Sequence, residues 1–172
     1  TVVDNQFSTY SIYSSKDLMK VIRDEQQNPY IKLFRERFLP SILGHHPELI
    51  GVSITATSQI IPGLTLCRLI KESVPDIHLT IGGSIFTRLV DNLRRCPSLF
   101  DITDDIVVFE GETALLELIN QMAGKKDFSK VPNLIYRQNG KINVNQPFYS
   151  ENVNQLPAPN YDGFPLGRYL SP

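Results

Sequence analysis

Across residues 49–112 the chain alternates three apolar runs of strand length with stretches of helical spacing, and few folds accommodate that order. The runs at 49–55, 77–81 and 106–109 are mostly apolar, without clean polar alternation. That is the pattern of strands covered on both faces, as in parallel sheets. Between the first two, residues 60–74 place Leu64, Leu66, Leu69 and Ile70 at helical spacing, with Pro62 in the first turn. A second helix is predicted over residues 85–95, ended by Cys96-Pro97, and a third from Glu112 or Thr113 to Met122. Strand, right-handed helical crossover and parallel strand, repeated, predict a doubly wound α/β sheet.

In such a sheet, ligands sit outside the carboxyl ends of the strands. The first strand ends in Ser53, Thr55 and Thr57, the second in Gly82-Gly83, and the third in Glu110-Gly111-Glu112. Hydroxyls bind oxygen-rich groups, paired glycines let a ligand approach the backbone, and a helix start attracts phosphate. Each feature also has a structural explanation. Ser and Thr suit strand ends, a glycine pair suits a tight strand-to-helix turn, and carboxylates are favoured at a helix start by the dipole. Glu110 and Glu112 stand without a nucleophile or His beside them, so acid/base catalysis by this chain is not expected.

Ahead of this unit, Val2 and Val3 read as the end of a strand with Asp4 at its edge. Ser14-Ser15 cap a helix beginning near Lys16, and Pro29 opens another in which Ile31, Phe34, Phe38 and Leu39 share a face. Pro40 lacks a donor, so that helix is expected to kink or end there. His45-His46 fall in a turn with no carboxylate or Cys at ligand spacing, which favours a solvated turn over a metal site. After Lys125-Lys126 the pattern changes. Two extended runs, 133–137 and 141–145, flank Gln138-Asn139-Gly140, a strong hairpin signal. From Pro147 on, Pro and Asn become frequent, and Tyr161, Phe164 and Tyr169 are expected to anchor an extended arm. The organisation is therefore an α/β domain over residues 1–130 and a hairpin with linker over 131–172.

Composition narrows the function classes. The 17 Lys and Arg balance 18 Asp and Glu, for a net charge of -1, and no helix carries a basic stripe. Nucleic-acid binding needs such clustering. No apolar run approaches the length of a membrane helix and no signal peptide is visible, so a cytoplasmic location is expected. Cys67 and Cys96 fit neither a zinc nor a redox spacing and read as reduced thiols. The motifs GxGxxG, GxxxxGK[ST] and GxSxG are absent, so dinucleotide, P-loop and serine-hydrolase readings lose their main support.

Taken as an ordered set, VSITATSQ, PDIHLTIGGSIF, DDIVVFEGETALLELI, VPNLIYRQNGKI and LPAPNYDGFPLGRYLSP resemble the cobalamin-binding-like N-terminal region of radical SAM proteins (Fe-S oxidoreductases). The resemblance covers most of residues 48–172. It implies a flavodoxin-like sheet whose strand-end loops cover a corrin and its nucleotide tail. On that reading Ser53, Thr55 and Thr57 meet the tail, Gly82 and Gly83 are its close-approach glycines, and Glu110, Gly111 and Glu112 form the third ligand-side loop. It also implies a partner: the chain's own radical SAM domain further on, whose CxxxCxxC would hold an iron-sulfur cluster and S-adenosylmethionine. That motif is absent from these residues, as is the DxHxxG loop that supplies a lower axial His in many cobalamin proteins. The first strand and helix of the family's fold would lie before Thr1, and the chain reads as a piece of a longer protein.

Three readings follow. The chain is a cobalamin-binding module of a radical SAM methylase or tailoring enzyme. Or it is a degenerate scaffold or interaction domain of that fold, without cofactor, gripping a small-molecule or peptide substrate. Or it is a free-standing flavodoxin-like binding or signalling domain, for which Asp4 alone would have to supply the acidic cluster of a receiver.

Overall fold

The computed structural model describes residues 10–149, 157, 158 and 160–168. The expected strand end at Val2-Val3 with Asp4, and the anchor Tyr169, lie outside these residues. The sheet contains β1 (Leu49–Ser53), β2 (His78–Gly82), β3 (Asp105–Val107), β4 (Leu134–Gln138) and β5 (Lys141–Val144). They lie side by side in chain order. β1, β2 and β3 run parallel, with Ser53 opposite Gly82 and Gly82 opposite Val107. The sheet is mixed rather than wholly parallel, because β4 pairs antiparallel to β3 and β5 antiparallel to β4. The hairpin thus extends the same sheet past residue 130 instead of following it as an appendage. Its turn is the two-residue loop Asn139-Gly140, with φ of 51° and 75°. Positive φ at both positions matches the right-handed twist of the strands.

The helices occupy both faces, as the α/β class requires. In order they are α1 (Ser15–Val21), α2 (Pro29–Leu33), α3 (Leu39–Leu43), α4 (Ile60–Ser73), α5 (Ser84–Arg88), α6 (Val90–Leu93) and α7 (Glu112–Ala123). Alternation along the strands sorts the side chains. Ile50, Val52, Leu79, Ile81, Ile106 and Ile135 point to one face and join the large core with Leu64, Ile70, Phe86 and Leu93 of the helices between strands. The other face carries Val107, Leu134 and Tyr136, which pack with Ala114 and Leu118 of α7 in a small second core.

Three local departures have physical causes. Pro40 does not end its helix. The stretch Phe34–Phe38 between α2 and α3 widens to π-helical geometry, and the Leu39 N–H bonds the Phe34 carbonyl, which absorbs the missing donor. The helix predicted at 85–95 breaks at Leu89, whose N–H reaches back three residues to Phe86 O (3.0 Å) rather than four. Tyr161 and Phe164, expected as anchors of the arm, are 61% and 58% exposed. The caps behave as expected for short helices. Ser14 Oγ accepts from Asp17 N and Asn28 Oδ1 from Tyr30 N. Asn28 is buried, and its Nδ2 donates to Val21 O and to Thr65 Oγ1 at 2.9 Å, tying the N-terminal helices to α4.

Candidate functional site

The carboxyl ends of β1, β2 and β3 lie in one row, so the three predicted loops form one rim. The rim is held as a unit. Ile54 N–H donates to Gly82 O at 2.8 Å, and Ser84 Oγ donates to Thr55 O at 3.1 Å, linking the first two loops. Phe109, in a left-handed conformation with φ of 60°, donates its N–H to Thr87 Oγ1 at 2.8 Å, linking the third loop to α5. Asn133, also left-handed at 58°, donates through Nδ2 to Glu110 O and Phe148 O and accepts from Phe148 N through Oδ1. It fastens the third loop to the chain leaving the hairpin.

The eight predicted residues occupy distinct places on this rim. Ser53 ends β1 with an exposed side chain, and Thr57 is exposed in the turn before α4. The Thr55 hydroxyl is engaged internally, donating to Gln59 Oε1 at 3.1 Å, which also accepts from the N–H groups of Thr55 and Ala56. Gly82 ends β2, and a Cβ there would stand 3.1 Å from Val107 O. Gly83 has φ of +109°, and a Cβ there would fall 2.3 Å from Ile54 O. Its missing side chain is therefore demanded by the neighbouring backbone. Glu110 is half-buried, Gly111 caps α7, and Glu112 is the exposed first residue of that helix. The free N–H groups of α7 open here.

Three residues outside the predicted set shape the site. Gln59 and Asn133 are the polar clamps just described. Gln59 stands three residues after Ala56, the cap of the short turn, and because Ala takes the place of Ser or Thr there the capping-box signature is not visible in sequence. Gly51 is the third. It shares the second sheet face with Ser53 and Gly82, it is exposed, and a Cβ there would meet only Thr80 Cγ2, at 3.7 Å. Gly51, Ser53 and Gly82 thus make a strip of small residues on the half of this face that α7 leaves bare. Two buried oxygens in the same rows, Thr80 Oγ1 and Asp105 Oδ1, have no hydrogen-bond partner among the described residues. The other Asp105 oxygen lies 2.6 Å from His78 Nε2. Among the described residues no group of His, Cys, Asp or Glu could hold a metal ion, and His45-His46 form a turn. No helix among them is long and apolar enough to cross a membrane.

No family model matches the chain. Over 125 residues, 72% of its length, it is 27% identical to an uncharacterized methyltransferase of Pyrococcus horikoshii, of which the match covers 26%. Among solved structures it is similar to the radical S-adenosylmethionine methyltransferase TsrM from Kitasatospora setae, whose structure holds a tryptophan substrate and a SAM analog. That similarity has a TM-score of 0.46 and 22% identity, and covers 66% of this chain and 22% of the other. The chain spans about a quarter of the length of the relatives it matches.

Proposed function

We propose that the chain is the cobalamin-binding module of a methyltransferase of the radical SAM type. The observation that carries the proposal is the bare strip of Gly51, Ser53 and Gly82 ending at a rim of hydroxyl, glycine and helix-start groups. The residues present fit the cofactor's tail. A flat aromatic base needs a surface without side chains, which Gly51 and Gly82 provide. The Ser53 hydroxyl is placed to donate to a polar tail atom, and the N-terminus of α7 favours a phosphate. Gln59 and Asn133 keep the loops in place before any ligand arrives, which lowers the ordering cost of binding. When bound, cobalamin supplies a metal centre suited to methyl transfer. The similarity to an uncharacterized methyltransferase supports the same reading.

On this proposal, the iron-sulfur cluster and S-adenosylmethionine belong to a radical SAM domain elsewhere in the protein, as does the substrate chemistry. A second reading, a scaffold without cofactor, is favoured by two details. The Thr55 hydroxyl is satisfied by Gln59, and Gly83 is required by the Ile54 backbone. Titration with hydroxocobalamin separates the two. Binding predicts a saturable change in the visible spectrum that is lost in Gly51→Leu, at a position where an added Cβ meets only Thr80 Cγ2, at 3.7 Å. No spectral change with the wild-type chain would leave the scaffold. Gly83→Leu is not a usable variant, because it would collide with Ile54 whether or not a ligand binds.

A further inference from the structure

On the opposite face from the bare strip, α1, the start of α4 and the α5–α6 segment enclose a cleft of about 630 Å³. That volume lies in the range of small-molecule sites. Its floor is apolar and buried: Leu64, Ile85, Phe86, Leu93 and Leu99. Its lining also includes Arg88, Asn92 and Arg95, all three exposed, in contrast to the buried floor. Among the described residues no Asp or Glu lines the cleft. Among the described residues neither arginine has a carboxylate partner, and Arg88 Nε reaches only Ser84 O, at 3.4 Å. Arg35, Arg68 and Arg137 are paired, with Glu25, Glu72 and Asp101, whereas the described Arg23, Arg37 and Arg94 lack a carboxylate partner as Arg88 and Arg95 do but do not line this cleft.

We propose that this cleft is a binding site for a small organic acid with an apolar body, a medium-chain or aromatic carboxylate. The body would displace water from the apolar floor, and the carboxylate would remain at the exposed part of the lining, where guanidinium groups bind it in a two-pronged geometry. The neutral alcohol of the same body gains only the first contribution. The cleft lies on the other side of the sheet from Gly51 and Ser53 and shares only Thr57 with the rim, so its apolar floor and its two arginines are separate from the proposed cobalamin site.

The test uses the 172-residue chain, with 8-anilinonaphthalene-1-sulfonate as the fluorescent apolar anion and octanoate and octanol as competitors. Cys96 lines the cleft and reports its occupancy by the rate of alkylation with iodoacetamide. Cys67 is fully buried, with burial pushing its thiol up to about 12, and stays silent. The expected result is saturable fluorescence, displacement by octanoate roughly tenfold better than by octanol, and slowed alkylation of Cys96. The double variant Arg88→Gln/Arg95→Gln, at two exposed positions, is expected to lose the preference for the acid while still taking up octanol. Equal competition by acid and alcohol would overturn the proposal. So would an alkylation rate indifferent to octanoate, or a Cys96 already shielded in the free chain, which would mean that the chain fills its own cleft.

Discussion

The two faces of the sheet are finished to different degrees. One is sealed from β1 to β5: Ile50, Val52, Leu79, Ile81, Ile106, Ile135, Ile142 and Val144 all contribute to the large core or pack against it. The other is sealed over β3 and β4, where Val107, Leu134 and Tyr136 meet α7, and over part of β2, where Phe128 lies edge-on to Tyr136 and tilted against His78 and Thr80 is buried. Toward β1 it runs out into Gly51 and Ser53, both exposed. α7 itself turns Leu115, Leu116 and Ile119 partly outward, at 41%, 62% and 47% exposure. The sealed face accounts for stability. The unfinished face leaves backbone and small side chains available, and it adjoins the rim. The contrast teaches that one row of strands serves both purposes through the period-two alternation of its side chains.

Substitutions can break or sharpen this contrast. The largest effect is expected at the joint between the first two loops. Gly83→Ala places a Cβ against the Ile54 backbone at a φ of +109°, and a loss of about 3–5 kcal/mol in chemical denaturation is expected. On the sealed face, Ile106→Ala removes a fully buried side chain and should cost about 2–5 kcal/mol. On the unfinished face, Ser53→Ala should stay within about 0.5 kcal/mol of wild type. Similar losses for Ile106→Ala and Ser53→Ala would erase the distinction. Thr80→Val removes a buried hydroxyl without a partner, so its melting temperature should be unchanged or slightly higher. A clear fall would mean that the hydroxyl is satisfied.

The smallest expected effect concerns pH and the N-terminal helices. The Tyr10 hydroxyl, at 2.7 Å, and the N–H groups of Gln27 and Gln26 hold the Asp24 carboxyl below its usual range. A carboxylate with a depressed folded pKa contributes stability above its unfolded pKa of about 3.9 and loses it as pH falls through the folded value. Asp24→Asn should therefore be slightly less stable than wild type at pH 7 and converge with it toward pH 2–3 in thermal melts. Parallel curves would remove the role given to Asp24.

Much of the fold was legible in the sequence because its signals are local. Strand runs bounded by turn residues, the cap at Ser14, and Asn139-Gly140 each appear in the structure. Pairing was less legible. Nothing local to residues 134–138 tells that they join β3 antiparallel, since that depends on α7 crossing to the second face. The π-helical turn before Pro40 and the three-residue hydrogen bond at Leu89 have no distinct signature in the sequence. For the candidate site, the three loops were singled out by strand-end chemistry, and their strand ends lie at one edge of the sheet. Gly51 was not, because the residues of β1 alternate only weakly in polarity and its face cannot be assigned without the register to β2. The roles of Gly83 and Thr55 were open in sequence, since a turn glycine and a ligand-facing glycine have the same signature, and only the distance to Ile54 shows which atoms fill the space.

The central claim, that the unfinished face and its rim receive a large flat cofactor, is tested most directly by amide hydrogen exchange with and without hydroxocobalamin. The account predicts slowed exchange at residues 51–57, 82–84 and 110–113, with the helices of the sealed face unchanged. Protection confined to α4–α6, or none at the three loops despite bound cofactor, would contradict it.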